Sequence, residues 1–244
     1  MTEDSTAPFG RAIRDWYHDD QTDPLYQRDG ETVIEHPIER FYFQAFAADT
    51  ETGAWLCEWL DGPLLDLGAG AGRHALYFQE SVETVAIETD PALVAVMDAR
   101  GVEDAREADM FSLREHFDRD RFRSALSIGT QLGLAGSVAD LRAFLADLAY
   151  VTAPDATAVL DAYDPRHPGC RELLGWRPVA ARGVGSRVFH FEYEDAVGET
   201  LLFRFWSPDR FREAVQGTDW RVAEFRGGLE ADQNQWRVAV EKRR

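Results

Sequence analysis

The chain has 244 residues, with 44 acidic side chains against 26 basic ones and a formal net charge of −18 at pH 7. Apolar residues make up 45% and charged residues 29%, a globular composition with apolar mass enough for a core, which excludes a disordered or low-complexity chain. No apolar run reaches the ~18–20 residues that cross a bilayer, and two cysteines, Cys57 and Cys170, cannot make a disulfide scaffold.

In chain order, Met1-Thr2-Glu3-Asp4 lacks the basic and then apolar stretch of a secretory leader, so a cytoplasmic location is expected. Residues 8–20 carry Phe9, Ile13, Trp16 and Tyr17 at helical spacing. Residues 22–37 are polar and broken by Pro24, Gly30 and Pro37, which predicts a loop. Residues 38–60 predict two packed helical pieces with Gly53 as the break. From Pro63 the rhythm changes. Strands are predicted at 63–67, 84–88, 103–107, 123–128 and 157–163, and helices at 71–79, 91–100, 111–117 and 138–151. This alternation argues for a parallel sheet with helices on both faces. Residues 185–194 and 200–206 then alternate with period two and predict an antiparallel hairpin. Ser207 and Pro208 open a helix through Val215, and 220–225 and 235–241 are closing strands.

The segment Leu64-Leu65-Asp66-Leu67-Gly68-Ala69-Gly70-Ala71-Gly72 runs from strand to helix through three glycines, which let the backbone turn sharply and approach a ligand with no Cβ in the way. A dinucleotide fingerprint read from Gly68 fails at Arg73. Read from Gly70 it passes at Ala75 but leaves Gly68-Ala69 unexplained, so a nicotinamide dehydrogenase is the weaker reading. Asp66 decides more: a carboxylate at a strand tip repels a pyrophosphate and suits a ligand with positive charge. S-adenosyl-L-methionine carries an ammonium and a sulfonium.

Asp66-Leu67-Gly68-Ala69-Gly70-Ala71-Gly72 resembles motif I of the class I S-adenosylmethionine-dependent methyltransferases. Val85-Ala86-Ile87-Glu88-Thr89-Asp90-Pro91 is similar to that family's second strand, Glu107-Ala108-Asp109-Met110 to its third-strand motif, and the segment from Phe122 to Thr130 to its fourth. The resemblance implies S-adenosyl-L-methionine as cofactor, Glu88 on both ribose hydroxyls with Thr89 beside it at the cofactor, Asp109 on the adenine amino group, and Met110 packed on the ring. It also places Gly68, Ala69, Gly70, Gly72, Ser127 and Gly129 at the cofactor. It covers residues 60–165 well and 207–242 by strand order only. Arg123 stands where the family often has an acid, Glu88 replaces the commoner Asp, and Ala153-Pro154-Asp155-Ala156 replaces a Pro-Gly-Gly turn. The implied fold is α/β: a Rossmann-like, doubly wound, seven-stranded, mostly parallel sheet with an antiparallel last strand, N-terminal helices, and an antiparallel hairpin inserted after strand five. One domain over 1–244 would comprise a helical lid (1–60), a cofactor core (61–168), the insertion (169–206) and the closing helix and strands (207–244).

Methyl transfer from a sulfonium expels a neutral thioether, so alignment does most of the work and a base is needed only where the acceptor must lose a proton. The acceptor side is accordingly harder to read. Candidates are Tyr17 and His18 at the end of the first helix, Gln131 and Thr130 after strand four, and Tyr163, Asp164 and His167 after strand five. His74 in the glycine-loop helix and Arg187 and Arg204 of the hairpin are further candidates. Ser127-Ile128-Gly129-Thr130 stands where base-amine methyltransferases carry an Asn/Asp-Pro-Pro-aromatic loop, and no basic stripe with interleaved aromatics occurs. A small-molecule acceptor is therefore expected, with an RNA or protein methyltransferase and a non-catalytic cofactor binder as alternatives. No metal site is expected, nor a membrane partner, and oligomeric state is left open. Lys242 is the only lysine and the acids are scattered, so the net charge reads as a surface adapted to concentrated salt.

Overall fold

The computed structural model describes residues 7–243, so the 1–4 stretch examined for a leader lies outside the described residues. Helix α1 (Pro8–Tyr17) is followed by strands β1 (Tyr26–Asp29) and β2 (Thr32–Glu35), a π-helical turn (Glu39–Phe43) and α2 (Glu51–Trp59). The alternating region then gives β3 (Leu64–Leu67), α3 (Ala75–Phe78), β4 (Thr84–Glu88), α4 (Pro91–Arg100), β5 (Ala105–Glu107), α5 (Leu113–His116) and β6 (Phe122–Ser127). After a 3-10 turn (Gln131–Leu134) come α6 (Val138–Val151) and β7 (Thr152–Tyr163). Beyond a second such turn (Pro168–Glu172) lie β8 (Trp176–Pro178), β9 (Val184–Tyr193), β10 (Ala196–Val197) and β11 (Leu201–Trp206). The chain closes with α7 (Pro208–Val215), β12 (Trp220–Gly227) and β13 (Gln235–Lys242).

The main sheet has seven strands in the order β12-β13-β7-β6-β3-β4-β5. Strands β3 to β7 are parallel where they neighbour one another, and β13 runs antiparallel to both β7 and β12. All four residues of β3 are buried, as a strand covered on both faces requires. The strand order reverses between β3 and β6, and in open sheets of this kind the carboxyl ends at such a switch point form the ligand crevice. Trp206, Trp220 and Trp236 anchor the core behind it. Each is at most 2% exposed, and each indole N–H donates to a backbone carbonyl: Leu132 O at 3.1 Å, Leu145 O at 2.9 Å and Trp206 O at 2.6 Å.

Local chemistry fixes the helices that frame the crevice. Asp90 caps α4 through the Ala92 N–H, Pro91 occupies the first turn, and Gly101 ends the helix at φ +90°. Ser137 caps α6, whose span matches its sequence pattern. Ser207 caps α7, with Pro208 inside the first turn.

The structure corrects the N-terminal expectations. Residues 22–37 form the β1–β2 hairpin, with Gly30 at φ +58° in its tight turn. This hairpin pairs with β9, which also pairs with β8, β10 and β11. The predicted 185–206 hairpin is thus the middle of a second, six-stranded sheet built from residues 26–35 and 176–206. The alternation signal fails here because all four residues of β2 are exposed. Gly53 is not the break in 38–60. It lies in the first turn of α2, where a Cβ would stand 2.0 Å from Ala47 O, and the chain breaks at 44–50 instead. The predicted 71–79 helix is cut to α3 because 68–74 is spent on turns. No helix among the described residues is long and apolar enough to cross a membrane.

Candidate functional site

The crevice is floored by the glycine turn. Gly68, Gly70 and Gly72 have φ of +64°, +59° and +79°, a region that costs other residues about 1–2 kcal/mol each. Close packing adds a second reason at each. A Cβ on Gly68 would lie 3.0 Å from the Gln131 side chain, on Gly70 3.3 Å from the Tyr42 ring, and on Gly72 2.6 Å from Val102. The turn thus brings Gln131 and Tyr42 to the crevice, while Gly72 serves the packing of α4.

Asp66 stands under this turn. It is 2% exposed, and its Oδ2 has no hydrogen-bond partner. Burial pushes its pKa up to about 7; the Ala75 backbone N–H opposes the rise and the Glu88 charge adds to it. Glu88, at the end of β4, is half-buried. Its Oε2 accepts the Gly70 N–H at 3.1 Å and its Oε1 accepts the Thr89 N–H at 2.8 Å and the Thr89 hydroxyl at 3.3 Å. Burial raises its pKa and these donors pull it back. Oε2, with a single donor, retains acceptor capacity for a ligand. At the end of β5, Asp109 is exposed and accepts the Phe111 N–H at 2.8 Å, while the Met110 side chain joins the main apolar cluster at 5% exposure.

The exit from β6 is held from below by a residue the sequence did not single out. Asp161, in the interior of β7 and 1% exposed, accepts the Thr130 N–H at 2.6 Å and the Gly129 N–H at 3.2 Å. Burial raises its pKa to about 6, against the pull of the Thr130 N–H, the Arg237 charge and the Gly129 N–H. Gly129 at φ +107° and Thr130 at φ +64° are thereby fixed in left-handed conformations. Ser127 is fully buried beside them, and its Oγ lacks a partner. The signal for Asp161 was a lone acid in an apolar strand.

A chain of polar side chains approaches the glycine turn from the second sheet. Arg187 donates from Nη2 to Gln27 Oε1 at 2.7 Å, Gln27 Nε2 lies 2.8 Å from His36 Nδ1, and His36 Nε2 lies 3.0 Å from the Tyr42 hydroxyl. Arginine only donates, so its bond fixes the Gln27 amide, and the amide N–H in turn makes Nδ1 of His36 the acceptor. Burial, then the Arg187 charge, lowers the His36 pKa to about 4, so the ring is neutral with its proton on Nε2. Tyr42 Oη accepts that proton's bond and keeps its own hydrogen to donate outward. Burial, reinforced by Glu88, raises the Tyr42 pKa and keeps the phenol neutral. The 22–37 segment reads as a loop and 38–60 as packed helical pieces, so nothing in the sequence marks His36 or Tyr42 for the site.

Other sequence candidates do not converge on the crevice. Helix α1 runs alongside α4: Gly10 lies against the Asp90 carboxylate, and the Tyr17 hydroxyl donates to Ala99 O at 3.0 Å. Tyr17 and His18 therefore sit at the far end of α4, remote from the carboxyl edge. His167 is spent as a cap: its Nδ1 accepts the Gly169 N–H at 3.1 Å and its Nε2 lies 3.3 Å from Asp232. The buried Asp164 carboxylate is occupied by Arg166. Arg204 donates to Gly136 O at 3.1 Å and ties β11 to the loop after β6. His74 packs against Phe46, with ring centroids 5.4 Å apart. Tyr163 remains at the edge, half-buried against Phe205.

The donor set tests well against an aminoacyl-nucleoside sulfonium. Glycines admit a backbone-close approach, two buried orphan atoms (Asp66 Oδ2 and Ser127 Oγ) lack protein partners, and the Asp66 and Glu88 carboxylates have the chemistry to accept from an ammonium and from hydroxyls. No protein-family profile matches the chain, and no curated protein matches it in sequence. Solved structures do match. A SAM-dependent methyltransferase from Bacteroides fragilis in complex with S-adenosyl-L-homocysteine is 24% identical, covers 98% of this chain and 96% of its own, and has a TM-score of 0.78. The Burkholderia thailandensis 1,6-didemethyltoxoflavin-N1-methyltransferase, with 1,6-didemethyltoxoflavin and S-adenosylhomocysteine bound, is 17% identical over 100% of this chain and 94% of its own, at a TM-score of 0.57. The CcbJ methyltransferase of Streptomyces caelestis is 13% identical over 80% and 89%, at 0.60. The strand order, the switch-point crevice and these likenesses agree: the chain has the fold of the class I S-adenosylmethionine-dependent methyltransferases.

Proposed function

We propose that the chain binds S-adenosyl-L-methionine at the carboxyl ends of β3, β4 and β5 and methylates a small-molecule acceptor. The observation that carries this reading is Asp66, a buried carboxylate with a vacant oxygen beneath a glycine turn. Leaving such a group unpaired is costly, and a ligand ammonium would relieve it. A pyrophosphate would be repelled by both Asp66 and Glu88.

In this reading Gly68, Ala69, Gly70 and Gly72 give the backbone its close approach, Glu88 and Thr89 take the ribose hydroxyls, and Asp109 and Met110 flank the adenine. Ser127 and Gly129 border the methionine end. The cofactor supplies an electrophilic methyl group on a sulfonium. The protein's task is to hold the acceptor in line with that carbon, at ~3–3.5 Å, and to keep water out. Gln131 and Tyr163 stand at the edge where the acceptor would lie, and α1 together with the second sheet would form the cover. The small-molecule acceptor is supported by the Burkholderia neighbour, which acts on one, and by the acidic balance of the chain, which disfavours nucleic acid.

Titration calorimetry with S-adenosylhomocysteine in molar salt tests the reading. One site per chain is expected, weakened by ~1–3 kcal/mol in Asp66→Ala through loss of a charge-assisted bond. Absence of binding would sink it.

A further inference from the structure

Arg187 is 9% exposed and, among the described residues, is the only arginine or lysine in the buried class. It makes no ion pair with any described carboxylate. In a chain with 44 acids and 26 basic groups, partners are abundant, and arginines far more exposed than this one are paired. Its Nε donates to Leu174 O at 3.1 Å and its Nη2 to Gln27. Nη1 takes no acceptor among the described residues and is not sealed from solvent. A desolvated cation without a counter-ion is costly to keep and is seldom kept without use.

The surroundings specify the use. Arg187 belongs to the β9 face that carries Phe189, and its guanidinium lies 4.1 Å from the centre of that ring. Phe203 on β11 is its cross-strand partner and stacks on Phe189 at 5.7 Å. Tyr163, the last residue of β7 at the crevice edge, is near enough for the arginine's charge to lower its pKa against the rise that burial causes. Through Gln27, His36 and Tyr42, the same arginine is wired to the glycine turn. One free guanidinium edge beside the rings of Phe203 and Tyr163, with Arg187 the cation that acts on Tyr163 among the described residues, matches a monoanion on a planar apolar body.

We infer that Arg187 is the acceptor's anchor and that the acceptor is an aromatic carboxylate. This inference rests on the methyltransferase reading of the crevice. Arg187 binds the carboxylate through Nη1, the rings of Phe203 and Tyr163 flank the body, and Phe189 beneath the guanidinium, with the hydrogen-bond chain, fixes it in place.

The test uses the full chain saturated with S-adenosylhomocysteine, and matched probes: benzoate with benzamide, 4-hydroxybenzoate with 4-hydroxybenzamide, and indole-3-carboxylate with its amide. Binding is followed by ligand-observed NMR. At least one carboxylate should bind about tenfold or more tightly than its amide, as loss of a charged hydrogen bond implies, and Arg187→Gln should erase the difference while S-adenosylhomocysteine affinity changes by severalfold at most, the arginine reaching the glycine turn only through three intervening side chains. The inference is overturned if no carboxylate outbinds its amide, or if the preference survives in Arg187→Gln. It is equally overturned if that variant loses S-adenosylhomocysteine affinity by about tenfold or more, which would assign the arginine to the cofactor's own carboxylate. Should Arg187→Gln not fold, Arg187→Lys replaces it. A preference kept at severalfold lower affinity is then expected, and native affinity overturns the inference. Failure of S-adenosylhomocysteine itself to bind would instead strike the methyltransferase reading.

Discussion

The Asp161 carboxylate accepts the Thr130 N–H at 2.6 Å, so a buried acid of one strand sets the backbone of the loop leaving its neighbour. Asp161→Asn tests this dependence. An amide can accept only one of the two N–H groups and turns its own donor against the other. The variant should lose ~1.5–3 kcal/mol of stability and bind S-adenosylhomocysteine more weakly. Denaturant titration and calorimetry check both.

Asp66 makes the site sensitive to pH. Its pKa is raised to about 7 in the fold from an ordinary 3.8, so without ligand its contribution to stability is present at low pH and is lost as pH rises from about 4 through about 7. A cationic ligand favours the ionised form. Affinity for S-adenosylhomocysteine should therefore rise between pH 6 and pH 8, with release of a proton, and the rise should vanish in Asp66→Asn. Calorimetry in two buffers of different ionisation enthalpy measures the proton directly, and a count of zero would contradict the assignment.

What could be read in the sequence follows the reach of each signal. The central strands of the core were legible because β3, β4 and β6 are almost fully buried and mostly apolar, and the intervening helices carry caps such as Asp90 and Ser137. Asp66, Glu88 and the glycines stood out because a strand-to-helix turn this tight admits few residue types. Of the second sheet the β9–β11 hairpin was legible, but β1 and β2 were not, because their register is set by pairing with the distant β9 and the edge strand is solvated. Tyr17 and His167 were misplaced for a different reason. Their hydroxyl and ring nitrogens serve neighbours on α4 and at a turn, which spacing alone does not reveal.

Two glycines of the same turn should separate binding from folding. Gly70→Ala puts a Cβ 3.3 Å from the Tyr42 ring at φ +59°, and should chiefly reduce S-adenosylhomocysteine affinity, with ~1–2 kcal/mol of backbone strain. Gly72→Ala meets Val102 at 2.6 Å and Met97 at 3.1 Å inside the α4 packing, and should chiefly lower the unfolding midpoint. Equal effects of the two on both measurements would contradict this division of labour.

The net charge of −18 predicts a dependence on salt. Self-repulsion is screened within ~3 Å at molar ionic strength but reaches ~30 Å at 10 mM. The thermal midpoint should rise from millimolar to molar potassium chloride. A flat profile would remove the salt-adapted reading of the surface.

Gln27 and Arg187, which meet at 2.7 Å, are 160 positions apart, and β13, the last strand in chain order, lies inside the main sheet between β12 and β7. The second sheet cannot close before β11 has been made, nor the main sheet before β13. The early hairpin waits with its edge open while the residues between emerge, and contacts of such long range make folding slow. A nascent chain halted before β9 would hold an unpaired β-edge and half a crevice, so the step that commits this protein to its native form waits for β13.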